Sequence, residues 1–116
     1  MIRLAPPRVL LLSLASSALL LALPAHAQVD EDAAKVLFKR NDCTKCHNPD
    51  RDKKGPSLRK IAKENKAKAD GEKRVVDMMT AGKKVKLDDG KEEDHKVIDT
   101  KDPKALSTMA KWILSH

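Results

Sequence analysis

The chain is predicted to be all-α, and two observations carry that class. Apolar residues recur at intervals of three and four in four separate segments, as the buried stripe of a helix requires. Strand-like alternation of apolar and polar residues is missing from the sequence. A third observation limits what such helices can enclose: Phe38 and Trp112 are the only aromatic residues. So short a chain with so few bulky side chains builds a small core, and domains of that kind often depend on a metal, a disulfide or a cofactor.

Residues 1–27 stand apart from that domain. Arg3 and Arg8 precede an apolar run from Val9 to Leu23, which ends at Pro24-Ala25-His26-Ala27. This reads as a secretory signal peptide cut after Ala27, which sends the protein to the periplasm. The apolar run falls short of the roughly 20 residues that span a bilayer, so stable membrane insertion is not expected. Residues 28–116 then form one domain. Without Arg3 and Arg8 its 22 basic residues face 17 acidic ones, a formal charge of +5.

The elements follow in order. Asp30-Glu31-Asp32 places carboxylates where the positive end of a helix favours them, and Ala33, Ala34, Leu37 and Phe38 continue as one apolar stripe up to Asn41-Asp42. Asn48-Pro49-Asp50 breaks the chain, and Arg51 to Lys54 reads as a polar loop. The turn at Gly55-Pro56 leads into a short helix from about Ser57 to Lys63, with Leu58, Ile61 and Ala62 on one side. A third helix is predicted over Glu72 to Ala81, with Val75, Val76 and Met79 facing inward and Gly82 as its stop. Lys83 to Asp99 is charged, lacks helical periodicity and carries a turn at Asp88-Asp89-Gly90. The last helix opens with Asp102 as N-cap and Pro103 at its first position. Leu106, Met109, Ala110 and Ile113 then recur at i, i+3, i+4 and i+7.

The chemistry lies in Cys43-Thr44-Lys45-Cys46-His47. Two thiols three residues apart, followed directly by an imidazole, can bond the two vinyl groups of a haem and place a nitrogen on its iron. A disulfide is the commoner fate of two cysteines in an oxidising compartment. A redox dithiol would want a βαβ context, and zinc would want two further ligands at short spacing; neither is present. A haem also supplies the large apolar body that the sequence lacks.

In these respects the chain resembles the small bacterial class I cytochromes c. The likeness rests on Cys43, Cys46 and His47 and on the order of weaker features around them. These are Phe38 five residues before the motif, Gly55-Pro56-x-Leu58, the helix ending at Gly82, and a closing helix with Trp112-Ile113-Leu114-Ser115. The resemblance implies the class I cytochrome c fold, three to four short helices wrapped around one covalently bound haem c. It implies thioether bonds to Cys43 and Cys46 and His47 as proximal iron ligand. Gly55 and Pro56 would form the proximal-side loop, with the Pro56 carbonyl receiving the second ring N–H of His47.

The sixth ligand departs from the family pattern. Members generally offer a Met from the loop before the last helix, and this loop has none. Counting back from Trp112, His95 stands at or next to that place. Met78, Met79 and Met109 all lie on predicted helices, where core packing suits a flexible thioether. Ligation by His47 and His95 is therefore expected. Met79, then Met78, is the alternative, and an open or water-ligated iron is the third. His116, at the chain end, is expected to fray.

The resulting expectation is a soluble, monomeric, periplasmic monohaem electron carrier of low potential, since replacing a thioether by an imidazole lowers the potential. No acid-base pair or nucleophile marks it as an enzyme. A gas-binding sensor with a displaceable distal ligand, or a haem subunit of a larger oxidoreductase, are the competing readings. Arg51 to Lys68 has eight basic residues against two acidic, and Asp88 to Asp94 has five acidic against one Lys. Such a separation suits docking to acidic redox partner proteins or an anionic membrane surface, or merely keeps the domain solvated. Nucleic acid is not an expected partner, because no aromatic residues are interleaved with the basic ones.

Overall fold

The computed structural model describes residues 29–116, so the signal-peptide reading of residues 1–27 lies outside the described residues. Four helices follow one another: α1 (Glu31–Arg40), α2 (Leu58–Asn65), α3 (Gly71–Thr80) and α4 (Pro103–Leu114). Their starts are written in the sequence. The Asp30 carboxylate accepts from the Ala33 N–H at 2.9 Å, the Ser57 hydroxyl from Lys60 N–H at 3.2 Å, and the Asp102 carboxylate from Lys104 N–H at 3.1 Å. Each satisfies a donor that the helix itself leaves unpaired. Gly82 follows α3 at φ +60, the left-handed conformation that ends a helix at least cost in a residue without Cβ.

α4 is the hub and packs on α1, α2 and α3. Its buried face of Leu106, Met109, Ala110, Trp112 and Ile113 meets Ala34, Leu37 and Phe38 of α1, Leu58 of α2, and Val75 and Met79 of α3 in one cluster. Phe38 and Trp112 touch edge to face, with ring centroids 5.3 Å apart and planes at 72°, the arrangement that the charge distribution of two aromatic rings favours. His116 does not fray. Its ring stands edge-on to Trp112 at 4.9 Å, and its Nδ1 lies 3.0 Å from the Trp112 carbonyl. The apolar face of Trp112 gives the terminal residue something to pack on.

The described residues also contain a small antiparallel hairpin that the helical reading lacks. β1 (Lys84–Lys86) pairs with β2 (Glu92–Asp94) in the register Lys84 to Asp94, Val85 to Glu93 and Lys86 to Glu92. Opposite charges facing across the strands favour this pairing, and Lys84 and Asp94 approach to 2.9 Å. Three-residue strands are too short to display an alternation. The hairpin also modifies the expected separation of charge. Lysines on β1 interleave with the acids of β2, and the Asp88 N–H donates to the Lys54 carbonyl at 3.2 Å, which brings the acidic turn against the basic loop.

Candidate haem site

The segment Cys43–Lys45 is wound into a 3-10 turn, entered through Asp42 at φ 58. The Cys46 and His47 N–H groups both donate to the Cys43 carbonyl, at 3.2 and 2.9 Å. Winding brings positions three and four apart onto one side. The two thiols and the imidazole are thereby presented together, all three half-buried. The thiols are not joined to each other, and burial raises the pKa of Cys43 above its ordinary range.

The loop after the motif is an ordered cradle. Asn48 Oδ1 accepts from the Asp50 and Arg51 N–H groups at 3.0 and 3.2 Å, Gly55 N–H donates to the Cys46 carbonyl at 2.9 Å, and Lys53 Nζ donates to the Thr44 carbonyl at 2.8 Å. The Pro56 carbonyl lies 2.6 Å from His47 Nδ1. A carbonyl can only accept, so Nδ1 carries the proton and Nε2 is left with its lone pair. A Cβ on Gly55 would come within 2.9 Å of His47 Cε1 and 3.3 Å of Nδ1, so the glycine is there because the ring occupies that space. Burial lowers the His47 pKa, the bond to Pro56 opposes that shift, and the nearby His95 adds to it. A neutral imidazole is the form that binds metal.

His95 sits just past β2. Its N–H donates to the Lys83 carbonyl at 2.8 Å, and its Nδ1 lies 3.0 Å from the Lys96 carbonyl, so Nδ1 is the donor there and Nε2 is the nitrogen left for a metal. Two residues that are 48 positions apart in sequence thus face each other: the His47 and His95 ring centroids are 6.1 Å apart, with planes at 46°. Two imidazoles on one first-row metal, each bonded through a nitrogen at about 2 Å, would have centroids roughly 6 Å apart. The residues present therefore fit a haem iron between them. Among the described residues no three His, Cys, Asp or Glu side chains converge as they would on a bare metal ion. Met79 is buried in the core and Met109 is almost fully enclosed, while Met78 is 38% exposed on α3.

Sequence reasoning missed the residues that hold the His95 segment in place. Asn41, read as a helix end, is buried and binds Asp99 through both side-chain and backbone groups. Ile98, read as part of a charged loop, enters the core, and its N–H donates to the Met79 carbonyl at 2.9 Å. Neither has a local signal beyond an asparagine at a helix end and an isolated apolar residue.

The comparisons with known proteins bear on the family and the fold. Residues 31–116 match the family model described as Cytochrome c. The chain is similar in structure to class 1 cytochrome MtoD from Sideroxydans lithotrophicus ES-1. The TM-score is 0.72 and the sequences are 46% identical, over 76% of this chain and 97% of that one. No curated protein matches the sequence. With a paired-thiol and imidazole motif, a four-helix fold built on α4, and a family match across nearly all the described residues, the chain belongs to the cytochrome c family as a small class I member with one covalently bound haem c.

Proposed function

We propose that this protein is an exported monohaem electron carrier whose iron is held between His47 and His95. The observation that carries the reading is the 6.1 Å separation of the two rings, each with Nδ1 at a backbone carbonyl and Nε2 free. Haem c supplies a one-electron couple at its iron. Cys43 and Cys46 fix the group covalently, the Pro56 carbonyl holds the His47 ring and raises its basicity, and Gly55 leaves the room that this ring needs. If His47 and His95 both bind the iron, they would leave no coordination site for a substrate, and the chain's task would be to hold the group and let electrons pass. An imidazole in place of a thioether lowers the potential. The reading of residues 1–27 as a signal peptide supports a periplasmic location.

Carbon monoxide tests the carrier against a gas-binding role. The reduced protein is expected to bind it slowly and incompletely, whereas His95→Ala binds it quickly. Rapid, complete binding by the unaltered protein contradicts the carrier reading. Potentiometry adds an independent check, since His95→Met is expected to raise the potential. The mass of the exported protein is expected to equal Gln28–His116 plus one haem, and retention of residues 1–27 would contradict export by cleavage.

A further inference from the structure

Asn41 is 2% exposed, and both polar atoms of its amide are used. Its Nδ2 donates to the Leu37 carbonyl at 2.9 Å and to the Asp99 carboxylate at 3.1 Å, while its Oδ1 accepts from the Asp99 N–H at 2.9 Å. One end of this link is the close of α1, two residues before Cys43. The other is Asp99, four residues after His95 and 58 positions away in sequence. Two ion pairs run beside it, Arg40 to Asp99 at 3.0 Å and Lys96 to Asp42 at 3.4 Å, but all four side chains are about half exposed. Exposed pairs hold little against solvent. A buried amide with paired donors and acceptor holds much more, because water cannot replace its partners.

Resting on the reading of His95 as an iron ligand, we propose that Asn41 is a positioning residue, a latch that ties the His95 segment to the end of α1 and sets how often His95 leaves the iron. On its other side the segment is fixed by two backbone bonds, Ile98 N–H to the Met79 carbonyl and His95 N–H to the Lys83 carbonyl, and by the Ile98 side chain in the core. Asn41 is the buried side chain that joins the segment before the haem motif to the segment after His95. Loss of its two bonds to Asp99 frees residues 95–99 to open while the helices stay packed.

Cyanide binding to the ferric holoprotein reads this directly. At saturating cyanide the rate is set by departure of the protein ligand. Asn41→Ala is expected to bind roughly tenfold faster than the unaltered protein, the fold-change that corresponds to about 1.4 kcal/mol. Asp99→Ala is expected to accelerate binding less, because its backbone N–H still reaches Asn41. Asn65→Ala is the structural control: Asn65 Nδ2 donates to the Ile61 carbonyl at 2.8 Å, the same i to i−4 bond, on α2. It is expected to cost stability without changing the rate. Amide exchange at Asp99 should quicken in Asn41→Ala and not in Asn65→Ala. An Asn41→Ala rate no greater than that of Asn65→Ala overturns the latch, and a fast His95→Ala in the same series shows that the ligand reading survives. Equal rates for the unaltered protein and His95→Ala overturn the ligand reading and the latch with it. Should Asn41→Ala fail to fold, Asp99→Ala decides, and an unchanged rate there overturns the proposal.

Discussion

At the scale of single residues, the proximal side depends on what Gly55 lacks. A methyl group there would stand 2.9 Å from His47 Cε1, and the neighbouring Gly55 N–H to Cys46 bond leaves the backbone little freedom to retreat. Gly55→Ala is expected to cost roughly 1–3 kcal/mol, as overpacking does, and to weaken the His47 to Pro56 bond. Denaturant unfolding of the holoprotein reads the first effect and the ring N–H resonance of His47 the second; an unchanged resonance would count against the packing argument. The sequence made much of this site legible because its parts are local. Cys43, Cys46 and His47 are contiguous, and Pro56 lies nine residues on. The place of the His95 ring, 6.1 Å from that of His47, could be anticipated only by counting along a family pattern. Asn41 and Asp99 were not legible, because the bond between them spans 58 positions and nothing in either neighbourhood announces the other.

At the scale of elements, helix starts were legible wherever a capping side chain precedes an apolar stripe. Asp102-Pro103 is the clearest case, and the helix found there is Pro103–Leu114. Asp30→Ala is expected to destabilise the protein by about 0.5–2 kcal/mol through the lost cap of α1, with thermal unfolding as the measure. Met109, 1% exposed on α4, is the larger test of the hub. Met109→Ala is expected to cost roughly 2–5 kcal/mol, and a loss below that of the Asp30 cap would mean that α4 is not the centre of packing. The hairpin escaped the sequence for a physical reason. Val85 is its only β-branched residue, so it rests on cross-strand charge pairs and a turn rather than on a buried face. Hydrophobic periodicity cannot report an element with nothing buried in it.

At the scale of the whole molecule, two exposed paired carboxylates add a modest acid-side dependence to stability. The Lys73 ammonium holds Asp77 below the usual carboxylate value of 3.8, and the Arg40 guanidinium, with help from the Asn41 amide, does the same for Asp99. A carboxyl whose folded pKa lies below its unfolded value stabilises the fold while ionised. That contribution is present above about pH 4 and is lost as pH falls through the folded value. Stability is therefore expected to be flat near neutrality and to fall in acid. Asp77→Asn with Asp99→Asn should flatten part of the acid limb of a plot of unfolding midpoint against pH, and an unaltered limb would show that these pairs do not set it. The same arrangement lets α4 hold α1, α2 and α3 together while the segments before α2 and before α4 bring the His47 and His95 rings to 6.1 Å from each other. Whether an iron joins those two rings is the central claim. Low-temperature electron paramagnetic resonance combined with near-infrared magnetic circular dichroism of the ferric protein answers it. The expected result is a low-spin bis-imidazole spectrum that is lost in His95→Ala. A long-wavelength iron–thioether band in the unaltered protein, retained in His95→Ala, would contradict it.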